Sequence, residues 1–150
     1  MRVVIQRVKK ATVEIQGQII SEISQGLLIL LGIEIEDDKG DADYLVQKIH
    51  HLRIFSDTDG KMNLSIQDVG GQLLVVSQFT LHAATRKGNR PSYVRAARPE
   101  QAIPLYEYFL SELQKTSPST IQTGQFGADM QVALVNDGPV TIMMDTKGEI

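Results

Sequence analysis

Asn136-Asp137-Gly138-Pro139-Val140-Thr141 runs on into Ile142-Met143-Met144 and so sets a Gly-Pro bond directly before a strand-like run. Glycine tolerates backbone angles closed to other residues, while proline fixes its own φ and removes a donor. An X-Pro bond is also the one peptide bond that adopts the cis form at low cost. Two readings follow. Asn-Asp-Gly-Pro is a plain turn, or it is a rigid piece of main chain whose carbonyls are aimed with no side chain in the way. A pocket wall of the second kind senses shape, and in particular which side of a chiral centre carries a substituent.

The rest of the sequence supplies what such a wall would belong to. Residues 2–8 and 11–15 are rich in valine, isoleucine and threonine and read as two strands. Gln16-Gly17 marks a hairpin into 18–23, and Leu27-Leu28-Ile29-Leu30-Leu31 reads as a strand buried on both faces. The acidic patch Glu34-Ile35-Glu36-Asp37-Asp38 marks a turn and the start of an amphipathic helix over 40–51, carried by Ala42, Leu45, Val46 and Ile49. His50 and His51 at its end point about 100° apart and read as solvated or capping rather than metal-binding. Asp57-Thr58-Asp59-Gly60-Lys61 lacks the ligand spacing of a calcium loop and reads as a turn. A short strand at 62–65 and a central strand at 73–76 follow.

From Pro99 a second helix carries Ala102, Ile103, Tyr106, Phe109, Leu110 and Leu113 as a broad apolar stripe, with Pro104 expected within its first turn. Strands over 120–125 and 130–135 then lead to the Gly-Pro element and a last strand. The expected fold class is α/β. One domain spans residues 1–150, with mostly antiparallel or mixed β-sheets forming a barrel-like core and two amphipathic helices packed on it.

Composition narrows the function. A chain of 150 residues, 42% hydrophobic and 22% charged, suits one soluble globular domain. It has no cysteine, which excludes disulfides, thiolate catalysis and Cys-based metal sites. The start, Met-Arg-Val-Val-Ile-Gln-Arg-Val, is neither a signal peptide nor a membrane span, so a cytoplasmic protein is expected, with no membrane partner. Neither a metal nor another cofactor is called for.

The net charge of −3 hides an asymmetry. Val69 to Pro99 contains no acidic residue, yet Arg86, Lys87, Arg90, Arg95 and Arg98 fall inside it. The chain around it is acidic, so this stretch suits either a surface that meets a polyanion or a solvated loop. With neither helical nor strand periodicity, 82–98 is expected to be a long ordered loop or lid.

At the end of the central strand, Ser77-Gln78-Phe79-Thr80-Leu81 breaks the core pattern. Thr80 with His82 two residues on is a weak candidate for a nucleophile and base, because no carboxylate lies near in sequence to orient the histidine. Taken together with Gly138-Pro139-Val140-Thr141, this stretch resembles the D-aminoacyl-tRNA deacylase family, the D-tyrosyl-tRNA deacylases of translational proofreading. The chain start and Thr123-Gly124-Gln125-Phe126-Gly127-Ala128-Asp129-Met130 extend the resemblance over the full length. A related animal branch that clears misacylated L-alanine carries a Pro-Gln-Ala-Thr-like motif, whereas Ser77 and Phe79 stand here.

The resemblance implies a homodimer with active sites at the subunit interface and aminoacyl-tRNA as substrate. It implies a hydrolase acting on a carboxylic ester bond, with Ser77, Gln78, Phe79 and Thr80 as the catalytic segment. Gly138 and Pro139 would form a cis peptide that bars L side chains, with Val140 and Thr141 completing the motif and Arg7 holding the loop. The terminal adenosine would enter a neighbouring part of the pocket. Arg86, Lys87, Arg90, Arg95 and Arg98 are the candidate tRNA contacts. Two rivals remain at this point: a non-catalytic RNA-binding domain, and a hydrolase of small D-amino-acid esters.

Overall fold

The computed structural model describes residues 1–118 and 120–148. The N-terminal apolar stretch forms one continuous strand, β1 (Arg2–Ile15), where the sequence suggests two. Lys9 and Lys10 read as a break because they interrupt the valine and isoleucine pattern. Both are exposed, and they lie where β1 bulges against its neighbour, so the strand bends there without ending. β2 (Gln18–Ile23) returns from a two-residue hairpin and pairs with the far half of β1, and β3 (Gly26–Gly32) pairs antiparallel with the near half.

Helix α1 (Lys39–His51) follows. Its N-cap is Asp38, whose carboxylate accepts from the amides of Gly40 at 2.8 Å and Asp41 at 3.3 Å, while Asp41 accepts from the Asp38 amide at 2.9 Å. This reciprocal cap fixes where the helix begins. A small ribbon, β4 (Phe55–Ser56) and β5 (Met62–Leu64), encloses the Asp57 turn. The chain then enters β6 (Gln72–Ser77), parallel to β3, and a single 3₁₀ turn over Phe79–His82.

Helix α2 (Pro99–Thr116) contains Pro104 as its sixth residue, beyond the first turn expected for it. The amide that proline lacks would have served the Glu100 carbonyl. Glu100 is exposed, so water can take its place. Ala102, Leu105, Tyr106, Phe109 and Leu113 are buried, and each large apolar side chain removed from water stabilises the fold by about 1.5–3 kcal/mol.

β7 (Ile121–Thr123) joins β6 in parallel, shorter than the strand expected over 120–125. The last two expected strands are one, β8 (Gln131–Asp145), which pairs with β1 on both sides of Gly138-Pro139. The sheet therefore runs β2-β1-β3-β6-β7, with β8 on the other side of β1. Its curl encloses one apolar cluster around Val8, Val13, Ile23, Leu28, Leu74 and Val76, and the helices cover a second, larger cluster on its outer face. β3 contributes to both, which is why its sequence is apolar without alternation. The expected class, mixed sheet curled toward a barrel with two helices on it, is the one observed.

Candidate active site

β3 and β6 run parallel and finish together, so the backbone leaving Ser77 crosses over the end of β3. The Gln78 amide donates to the Leu31 carbonyl at 2.7 Å, and the 3₁₀ turn lies directly on Gly32. A Cβ at Gly32 would sit 2.9 Å from the Gln78 carbonyl oxygen, 3.0 Å from Leu81 Cβ and 3.1 Å from His82 Cδ2, so only glycine allows this approach. Beside the turn opens a cavity of about 320 Å³, walled by Ser77, Gln78 and Phe79 on one side and by Phe126 to Met130 on the other.

The turn determines which groups are available for chemistry. The first amides of a helical turn lack partners within it. Gln78's amide is taken by Leu31, but among the described residues no acceptor lies on the amides of Phe79 and Thr80. The Gln78 side-chain amide donates to Thr80 Oγ1. Phe79 is 54% exposed at the cavity mouth, and Tyr93 packs on it edge to face at 5.1 Å. His82 is buried with neither ring nitrogen hydrogen-bonded, so it is no base for Thr80. Residues two apart share a face only in a strand, and this segment is a 3₁₀ turn, so the spacing does not bring the two side chains together.

Gly138-Pro139 is a cis peptide, in the middle of β8. Arg7 Nε donates to the Asp137 carbonyl at 3.0 Å, and its Nη1 donates to the Ile54 carbonyl at 2.6 Å. A second brace crosses the dipeptide. Asn136 Oδ1 accepts from the Val140 amide at 3.1 Å, Asn136 Nδ2 donates to Thr141 Oγ1 at 3.1 Å, and both Asn136 and Thr141 donate to Gln6 Oε1. Neither Gln6 nor Asn136 is among the site residues named from the sequence, although Asn136 opens the Gly-Pro stretch. Their partnership depends on the pairing of β1 with β8, across 130 positions, which no local pattern encodes.

Within one chain the two motifs do not meet. Gly138 and Pro139 are exposed and are not part of the cavity wall beside Phe79.

The basic residues divide as well. Arg86, Lys87 and Arg90 are exposed on an excursion pinched at its base by the Ala84–Ser92 bridge. Arg95 is held by the buried Glu34, with Nη2 to Oε2 at 2.6 Å, so its charge is already partnered. Arg98 caps α2 through its carbonyl and remains exposed.

His50, expected to be solvated or capping, is not solvated. It is buried between the helices with its Nε2 against Thr116 Oγ1, and burial holds its pKa below the usual histidine value. Among the described residues, no group of three or more His, Cys, Asp or Glu is arranged to hold a metal, and no helix is long and apolar enough to cross a membrane.

The family model of D-Tyr-tRNA(Tyr) deacylase matches residues 4–145. The D-aminoacyl-tRNA deacylase of Akkermansia muciniphila is 60% identical over 147 residues, covering 98% of each chain. That of Porphyromonas gingivalis is 60% identical over 146 residues, covering 97% of each. Among solved structures, the c-Myc DNA Unwinding Element Binding Protein superposes with a TM-score of 0.93 at 44% identity, over 97% of this chain and 99% of the other. A solved structure of a "probable eukaryotic D-amino acid tRNA deacylase" shares the fold at a TM-score of 0.79 with 14% identity, over 95% and 97% of the two chains. With that match running from β1 to the end of β8, the chain belongs to the D-Tyr-tRNA(Tyr) deacylase family, hydrolases that deacylate D-aminoacyl-tRNA.

Proposed function

We propose that the cavity beside Phe79 binds the aminoacylated end of tRNA, and that Gly138-Pro139 of a second copy of the chain closes over it. The observation that carries this reading is the pair of unpartnered amides at the start of the turn, Phe79 on the wall of the cavity and Thr80 next to it in the chain, in a deacylase fold. Fixed donors of this kind suit the oxyanion that develops when water attacks an ester carbonyl, and losing one such donor typically costs about 10²–10³ in rate.

The ester needs little further activation. Water adds to the carbonyl carbon, the bond to the ribose oxygen breaks, and the proton passes to that oxygen with the vicinal ribose hydroxyl as relay. Free tRNA and amino acid result. Ser77 and Gln78 shape the wall, and Thr80, engaged by Gln78, positions the segment without acting as nucleophile.

Selection follows from the dipeptide. The dipeptide is exposed, carries no side chain at Gly138, and is held by Arg7 and braced by Asn136, Val140 and Thr141. Such a wall leaves room for a hydrogen on one flank of the α-carbon and for nothing larger. It refuses L side chains, accepts D side chains broadly, and lets glycine through. Because dipeptide and cavity are separate within one chain, the complete site needs a homodimer. Arg86, Lys87, Arg90 and Arg98 lie free to meet phosphates, with Arg95 serving to anchor their loop.

The test is deacylation of matched D-tyrosyl-, L-tyrosyl- and glycyl-tRNA, with D-tyrosine methyl ester beside them. Cleavage of the D and glycyl substrates alone is the expected result. Equal rates on D and L esters contradict the wall, binding without cleavage favours an RNA-binding domain, and equal turnover of the methyl ester favours a small-ester hydrolase.

A further inference from the structure

The 3₁₀ turn over Phe79–His82 must be held in place at both ends if its first amides are to keep their aim. At its start the Gln78 amide is bonded to β3, and beneath it lies Gly32. At its end a side chain holds it. Arg2 Nη1 donates to the Leu81 carbonyl at 2.7 Å, while its Nε and Nη2 donate to Asp145 Oδ2 at 2.9 and 2.6 Å.

The register explains why Arg2 can do this. Arg2 is paired with Gly32 of β3 on one side and with Asp145 of β8 on the other. Directly opposed residues of antiparallel strands point to the same face of a sheet. The missing side chain of Gly32 leaves that face open for the turn, and the guanidinium of Arg2 reaches across from the next strand to its last carbonyl. Asp145 orients the planar fork, leaving one edge free for the Leu81 carbonyl. The Arg2 side chain is 26% exposed and that of Asp145 only 8%, so the pair is shielded enough to be geometrically defined.

We propose that Arg2 is a positioning residue for ester cleavage. It touches neither substrate nor reacting atoms. Through the Leu81 carbonyl it sets the tilt of the turn and hence the direction of the Phe79 and Thr80 amides. This rests on the reading of residues 77–80 as the catalytic segment. Because the amides must match an oxyanion present only in the transition state, loss of Arg2 slows the cleavage step and leaves substrate binding nearly unchanged.

The experiment is single-turnover and steady-state cleavage of D-tyrosyl-tRNA by the full chain, comparing Arg2→Met, Arg2→Lys, Phe79→Pro and Thr116→Val. Thr116→Val loosens the packing between the helices at His50 and serves as a destabilised control remote from the turn. Arg2→Met is expected to slow cleavage by up to about 10²-fold, the cost of a displacement near 1 Å, at a KM within about twofold. Arg2→Lys has one ammonium for two acceptors, so it is expected to fall between, about three- to tenfold slow. Thr116→Val is expected to melt earlier and cleave as the parent does.

Cleavage by Arg2→Met or by Arg2→Lys at the parent rate overturns the proposal. So does an equal slowing in Thr116→Val, which would make the effect one of stability. Should Arg2→Met fail to fold, Arg2→Lys decides alone. Parent-like cleavage by Phe79→Pro, which removes the amide hydrogen at the first position of the turn, would instead overturn the assignment of the catalytic segment, a separate failure from that of Arg2.

Discussion

Gly138 has φ +132°, a region that essentially only glycine occupies, and a Cβ there would lie 2.8 Å from Val140 Cγ2 and 2.9 Å from the Val140 amide nitrogen. Gly138→Ala is therefore expected to cost about 1–3 kcal/mol in chemical denaturation and to displace the dipeptide. Under the proposed function the same variant loses discrimination between D- and L-tyrosyl-tRNA, read as the ratio of their deacylation rates. A stable variant with unchanged discrimination would contradict that role. At this scale the sequence was partly legible. Gly138 and Pro139 announce themselves through residue type, since few other residues tolerate such backbone. Gln6, Asn136 and Arg2 do not, because each acts through a partner about 80 to 140 positions away that only strand register supplies.

Among elements, the helices were the most legible, because a 3.6-residue apolar stripe and a capping Asp are local signals. α1 begins one residue before the expected start. The long strands were the least. Polar or glycine-containing stretches at Lys9-Lys10 and 136–139 look like loops in sequence, yet β1 and β8 pass through both and absorb them as shifts in register. The excursion carrying Arg86, Lys87 and Arg90 was legible as a basic loop, but its division from Arg95 was not, since Glu34 lies 61 positions away.

That division makes a prediction for the element. Replacing Arg86, Lys87 and Arg90 together by glutamine is expected to raise KM for all D-aminoacyl-tRNAs alike and leave kcat in place. The dependence of log KM on log salt would flatten by as much as about three units, roughly one for each phosphate no longer neutralised. An unchanged salt dependence would remove this tip from the RNA path.

For the molecule as a whole, one charge cluster ties the chain's ends to α1. Asp41 lies there with the Met1 ammonium, Asp37, Thr146 and Lys147. Burial by itself would raise the Asp41 carboxyl, but hydrogen bonds from Thr146, the Asp38 amide and Lys147 outweigh it and hold the pKa at about 2. An unfolded aspartate titrates near 4, so between about pH 4 and 2 the unfolded chain binds the proton more readily than the folded one. The stabilisation is present above about pH 4 and is lost as pH falls through that window. Denaturation curves from pH 6 to 2 are expected to show the parent losing on the order of 2 kcal/mol more than Asp41→Asn. Parallel curves would mean that the carboxylate contributes nothing to the acid limb.

The exposed Gly138-Pro139 dipeptide has a corollary for how such a protein can change. If the dipeptide gates the site as proposed, a gate made largely of peptide atoms offers substitution little side chain to retune. On the same reading, exchanges at Phe126 and Met130 in the cavity wall would widen or narrow the range of substrates admitted while leaving handedness untouched. Breadth and stereochemical fidelity are then separate traits, and mutation can adjust the first freely, but it can alter the second only by reshaping the main chain.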